Sequence, residues 1–130
     1  MKEISLVFLG AGVGGVCRFI LGSIIINIMG RSYPWGTMWI NLLGSAVMGF
    51  LFVLISIRLA NISAVLSPLL LVGLLGGFTT FSSFSLDTLK LIQEGKILYA
   101  FSYVAISTFG GIALAGIGYK KKKKIFSYSV

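Results

Sequence analysis

Four runs of apolar residues, broken by short polar joints, divide the chain: Ile4 to Met29, Trp35 to Ile57, Ile62 to Leu86 and Ile97 to Tyr119. Each matches or exceeds the roughly 20 helical residues that cross a hydrocarbon core about 30 Å thick. The joints fall at Arg31, at Arg58 and over Asp87 to Lys96, where charge interrupts the apolar pattern. The pattern predicts an all-α integral membrane protein with four transmembrane helices in a single membrane domain, residues 1–130, closing on a basic tail over 120–130. The first run is too long for the apolar region of a secretory signal and lacks a strict Ala-x-Ala site, so it is expected to stay as a helix.

Composition narrows the chemistry. The sequence is 57% hydrophobic and holds no histidine, which excludes His-ligated metals and imidazole acid–base work. Its three acidic residues, Glu3, Asp87 and Glu94, lie at or near the ends of the runs, leaving little from which to build a hydrolase. An enzyme is not expected. The single Cys17 cannot form a disulfide within one chain. The net charge of +8 would suit nucleic acid, but five of the eleven basic residues form one block, Lys120 to Lys124, directly after the fourth run. A block so placed meets anionic lipid and fixes orientation. With four spans, Lys2, Arg58 and Lys120 to Lys124 share one side and Arg31, Lys90 and Lys96 the other, which puts the termini in the cytoplasm of a cell (inner or plasma) membrane. Seventeen glycines, among them Gly10 with Gly14, Gly15 with Gly22, and Gly110, Gly111 with Gly118, mark close helix contacts. So small a bundle is expected to oligomerise around a pathway, or to pack against another membrane protein.

Polar residues inside the runs carry the candidate function. Arg18 in GGVCRF is the one ionisable residue deep in a run, where burial costs at least about 2.5 kcal/mol, so it should face protein or water. It either attracts anions at a vestibule, or snorkels or bonds carbonyls at a helix break. In WGTMWINLLGS, Thr37, Asn41 and Ser45 recur every four residues and share one helical face. Asn41 serves either to hold helices together or to donate to a permeating anion.

The segment Gly76 to Ser85, GGFTTFSSFS, is poor helix sequence in the middle of the third run. A break near 76–80 would free carbonyls such as those of Gly76 and Thr79 to coordinate a small hard cation. Thr79, Thr80 and Ser82 are suitable N-caps for the half-helix that follows. On it Phe81 and Phe84 stand three apart, with Ser85 and Thr88 continuing the face. Their ring edges carry partial positive charge and could solvate an anion, whereas aromatic pairs at this spacing also simply pack. Tyr103 and Ser107 lie one turn apart in the fourth run, lining a polar track or bonding neighbouring helices.

Through GGVCRF, WGTMWINLLGS, GGFTTFSSFS and the Tyr103 to Ser107 face, nearly the whole chain resembles the small fluoride channels called Fluc or CrcB. The resemblance implies passive, electrodiffusive fluoride efflux that lowers cytoplasmic fluoride. It implies an antiparallel, dual-topology dimer with two pores and a structural sodium ion held at its centre by main-chain carbonyls of Gly76 and Thr79. Phe81, Phe84 and Asn41 would meet fluoride, Thr37 would join them, and Ser82, Ser83, Tyr103 and Ser107 would form the polar track. Arg18 and Asp87 would belong to the vestibule and ion access. Dual topology asks for nearly balanced charge, while the lysine tail unbalances the two sides. Either the tail comes too late to bias insertion, giving the homodimer favoured here because all the pore residues are in this chain, or this chain pairs with an oppositely oriented homologue. Two other readings stay open: a proton-coupled exporter, which needs an embedded carboxylate, and an assembly partner that conducts nothing.

Overall fold

In the computed structural model, residues 1–127 are described, with side chains described through Lys120. The side chains of Lys121 to Lys124 therefore lie outside the described residues. Every regular element among them is helical, and four helical stretches are long and apolar enough to cross a membrane: Lys2–Met29, Trp35–Ile57, Ala60–Gln93 and Ile97–Lys120.

The first helix, α1 (Lys2–Met29), ends where Gly30 takes φ 86° and returns its N–H to Ile26 O at 2.8 Å. Helix α2 (Trp35–Ile57) starts directly after Pro34, whose missing N–H costs nothing at a helix start. The third stretch is composite. A short turn at Ala60–Ile62 leads into α3 (Ser63–Leu66), a π-type segment over Ser67–Leu75, and α4 (Gly76–Phe78). Pro68 near the start of the π-type segment lacks a ladder donor, a known reason for a widened turn. The backbone then opens at Thr79 (φ −80°, ψ 158°) and Thr80 (φ −149°, ψ 121°) before α5 (Phe81–Gln93) begins. The fourth stretch joins α6 (Ile97–Ala105) to α7 (Gly111–Ser127) through a second π-type segment, Ile106–Gly110.

Helix α5 continues past Leu86 to Gln93, so Asp87 and Lys90 sit within a helix and the joint shrinks to Glu94–Lys96. Its stop is a Schellman cap: Gly95 (φ 73°) bonds to Ile92 O at 3.0 Å and Lys96 to Leu91 O at 2.9 Å. Charge on one face of a helix does not end it; a residue that adopts positive φ does.

Helix α1 packs along the third stretch, α2 along α7, and α5 beside α6. Lipid gives helices no hydrophobic reason to associate, so backbones must approach closely. A Cβ at Gly10 would strike the Leu69 carbonyl, one at Gly14 the Leu74 carbonyl, and one at Gly49 the Ala115 carbonyl. At Gly15 it would meet nothing within 4 Å of its own chain. The buried cluster is small and sits toward one end: Met38, Leu42, Leu91, Ala100 and Tyr103, flanked by Tyr33, Trp35, Phe84 and Leu114. Large side chains such as Phe8, Phe19 and Phe101 are exposed, as suits surfaces that meet acyl chains.

Candidate functional site

The interruption at Thr79 and Thr80 organises the site. Thr79 N–H still reaches Leu75 O at 2.9 Å, but Thr80 N–H leaves the ladder and donates to Asn41 Oδ1 at 2.8 Å. Asn41 Nδ2 in turn donates to Thr80 O at 2.9 Å. The amide thus pairs with Thr80 as a neighbouring strand would, satisfying both backbone groups that the open conformation releases. One of its two N–H donors remains. Thr80 then caps α5, its Oγ1 accepting from Ser83 N at 3.2 Å and donating to Ser83 Oγ at 3.1 Å. The Gly76 carbonyl loses the Thr80 N–H it would hold in a continuous helix, and Thr79 O lies 3.5 Å from Arg18 Nη1, the outer limit of a hydrogen bond. Arg18 is therefore directed at the Thr79 carbonyl.

Around this break lies a cavity of about 430 Å³. Asn41, Thr79, Thr80, Phe81, Phe84 and Ser107 contribute to its walls. Phe84 is half-buried and tilted against both Phe81 (5.7 Å between centroids) and Tyr103 (5.2 Å). Phe81 itself is 79% exposed, so the wall it forms is open on one side. Ser107 Oγ is buried without a hydrogen-bond partner among the described residues, whereas the buried Tyr103 hydroxyl lies beside Thr37 and Asp87. A buried hydroxyl left without a partner calls for a ligand or water.

A second cavity, of about 400 Å³, opens one helical turn further along. Thr37 precedes Asn41 by four residues and Asp87 follows Phe84 by three; both line it, joined by a Thr37 Oγ1 to Asp87 Oδ2 bond of 2.8 Å. Fully buried Tyr103 lies between the cavities, touching Phe84 on one side and Tyr33 on the other.

The expected residues thus fall into three groups. Asn41, Phe81, Phe84 and Ser107 share the first cavity; Thr37 and Asp87 line the second; Arg18, Gly76 and Thr79 meet around the break. Ser82 is exposed and lines neither, its Oγ 3.3 Å from Thr80 Oγ1. Ser85 and Thr88 bond to the carbonyls of Phe81 and Phe84 on their own helix, which uses up the face they continue. Gly44, Met48, Thr108 and Ala115 also line the first cavity and were not legible as site residues. Thr108 reaches it beside Ser107 from within the π-type segment; only the Gly110–Gly111 pair hinted at irregular backbone.

The break supplies oxygen donors suited to a hard cation such as sodium: main-chain carbonyls, with no cluster of His, Cys, Asp or Glu among the described residues. Gly76 and Thr79 are among the carbonyls that the interruption releases. The residues fit the ion in donor type, and several more oxygens would have to come from elsewhere.

Fold and site together define a small polytopic membrane protein built around a broken helix and an aromatic, hydroxyl-lined cavity. The family described as "CrcB-like protein, Camphor Resistance (CrcB)" matches residues 5–119, and the chain belongs to it. It is 50% identical over 94 residues to the fluoride-specific ion channel FluC of Magnetococcus marinus, covering 72% of this chain and 76% of that protein. Proteins of the same name from Allorhizobium ampelinum and Coxiella burnetii are 46% and 43% identical, each covering 94% of the relative and 90% and 89% of this chain. These relatives bear the name of a channel, not of an enzyme.

Proposed function

We propose that this protein is a fluoride-selective channel that lets fluoride leave the cytoplasm down its electrochemical gradient. The observation that supports it best is the cavity at the break. There Asn41 keeps one amide donor, Ser107 presents an unpartnered hydroxyl, and Phe81 and Phe84 stand at the wall. Such donors and ring edges can replace part of the hydration of a very small anion while excluding bulk water. Passive conduction needs no nucleotide, carboxylate relay or redox group.

The open side of the cavity supports assembly with a second, oppositely oriented copy in the cell membrane. Phe81 is 79% exposed, and a Cβ at Gly76 meets nothing within 4 Å, although Gly76 lies at the break. On this reading the Gly76 and Thr79 carbonyls of two chains would hold the sodium ion, which would supply a fixed positive charge near the pathway. Ser82, exposed in one chain, would face the partner. Pairing with an oppositely oriented homologue would leave the same roles to these residues. The test is fluoride efflux from liposomes holding this chain alone, followed with a fluoride electrode and repeated with chloride. Valinomycin-dependent release of fluoride but not chloride supports the homomeric channel. No release from folded protein refutes it and points to a missing partner subunit or to a purely structural role.

A further inference from the structure

We propose that the second cavity is an anion-collecting mouth of the same pathway, with Arg31 and Lys90 as its collecting charges; this rests on the channel reading above. Its walls carry Arg31, Lys90 and Lys96 against Asp87 and Glu94. The charges are not equally available. Lys96 Nζ and Glu94 Oε2 pair with each other at 2.8 Å, and Asp87 is engaged by Thr37. Arg31 and Lys90 have no ion-pair or hydrogen-bond partner among the described residues, and both are exposed at the rim. The mouth therefore shows two free cations to solvent above one carboxylate.

Its position ties it to the site at the break. Along α2 and α5, Thr37 and Asp87 lie one turn from Asn41 and Phe84, and fully buried Tyr103 packs its ring against Phe84 of one cavity and Tyr33 of the other. Tyr33 belongs to the mouth and packs edge-on against Tyr103 at 5.7 Å. The sequence is thus mouth, the Thr37–Asp87 neck, Tyr103, then the cavity at the break. Asp87 at the neck repels an anion, and the rim cations offset that repulsion before the anion reaches it.

The size of the effect follows from Coulomb's law. A monovalent anion about 10 Å from one fixed charge in a water-like dielectric is concentrated roughly twofold, so two charges give about fourfold. Screening shortens their reach from about 30 Å at 0.01 M salt to about 8 Å at 0.15 M. The experiment compares fluoride flux through the unmodified chain, Arg31→Gln/Lys90→Gln and the charge-keeping Arg31→Lys/Lys90→Arg in liposomes at those two ionic strengths. With screening acting at both salts, the expected result is a fall of about twofold in the low-salt to high-salt flux ratio for the glutamine variant, and retention of that ratio in the charge-keeping variant. An unaltered ratio in the glutamine variant, or an equal fall in both variants, overturns the mouth while leaving the channel reading intact. An unmodified chain that passes no fluoride overturns both.

Discussion

Replacing Asn41 by alanine removes both hydrogen bonds that hold Thr80 in its open conformation, the 2.8 Å bond from Thr80 N–H and the 2.9 Å bond to Thr80 O. Hydrogen bonds between membrane helices average about 0.6 kcal/mol and reach about 1.7 kcal/mol. A buried backbone group left without a partner costs about 1–3 kcal/mol. Thr80 lines a cavity of about 430 Å³, open on one side, where water can partly replace the amide, which selects the lower end of that range for each group. The sum is about 2 kcal/mol, or roughly a 30-fold loss in the population of the ordered break. Asn41→Ala is therefore expected to lower the unfolding temperature in detergent and to cut fluoride flux by more than tenfold. Asn41→Asp keeps the acceptor for Thr80 N–H but sets an oxygen against Thr80 O and a negative charge beside the anion's path. It should lose at least as much flux as alanine. If Asn41→Ala melts and conducts like the unmodified chain, the amide neither holds the break nor meets the ion.

Other substitutions probe different contacts. Thr80→Ala removes the cap that accepts from Ser83 N and should cost about 0.5–2 kcal/mol of stability, read by thermal unfolding, with Thr80→Ser restoring most of it. Gly14→Ala drives a methyl into the Leu74 carbonyl and should destabilise by about 1–3 kcal/mol or more, whereas Gly12→Ala, with nothing within 4 Å, should be neutral or gain about 0.5–1 kcal/mol from helix propensity. Asp87→Asn can keep its bond from Thr37 while losing its charge, so fluoride flux should persist without proton dependence. Proton-driven transport lost in that variant would favour the exporter reading, with Asp87 as its carboxylate.

The four apolar runs were legible because hydropathy over about 20 residues reports a property of the whole helix. The ends were less so: the charges from Asp87 onward suggested a joint, but the glycine at 95 decides where α5 stops. Within the site, GGFTTFSSFS showed that the backbone would be irregular, because glycine and threonine weaken a helix by known mechanisms. It could not show which atoms would take over the freed hydrogen bonds. That role fell to Asn41, which is 39 residues from Thr80 in sequence and reaches it only through packing of α2 on the third stretch. Asn41 also did not have to be either a structural or a pore residue. Its amide gives one donor and one acceptor to Thr80 and keeps a second N–H donor, and the residue lines the cavity. Thr108 had no signal of its own, since no polar residue recurs one turn from it in the fourth run.

Gly76 distinguishes a chain that works alone from one that needs a second copy. Its neighbour Gly77 is required within the chain, because a Cβ there would press on the Ala11 backbone. Gly76 is exposed, and the same methyl would touch nothing. Single-chain packing therefore gives no reason for glycine at 76, while helix propensity favours alanine by about 0.5–1 kcal/mol. On the proposed reading the reason is the partner: two breaks meet there, and their carbonyls must come close enough to share one small cation. Gly76→Ala should then preserve helix content and span packing while weakening the dimer, seen as a shift to monomer on dilution in detergent and a loss of fluoride flux. Gly77→Ala should instead damage the fold itself. If Gly76→Ala stays dimeric and conducts normally, no second backbone lies against that position, and the sodium site must be built elsewhere or not at all.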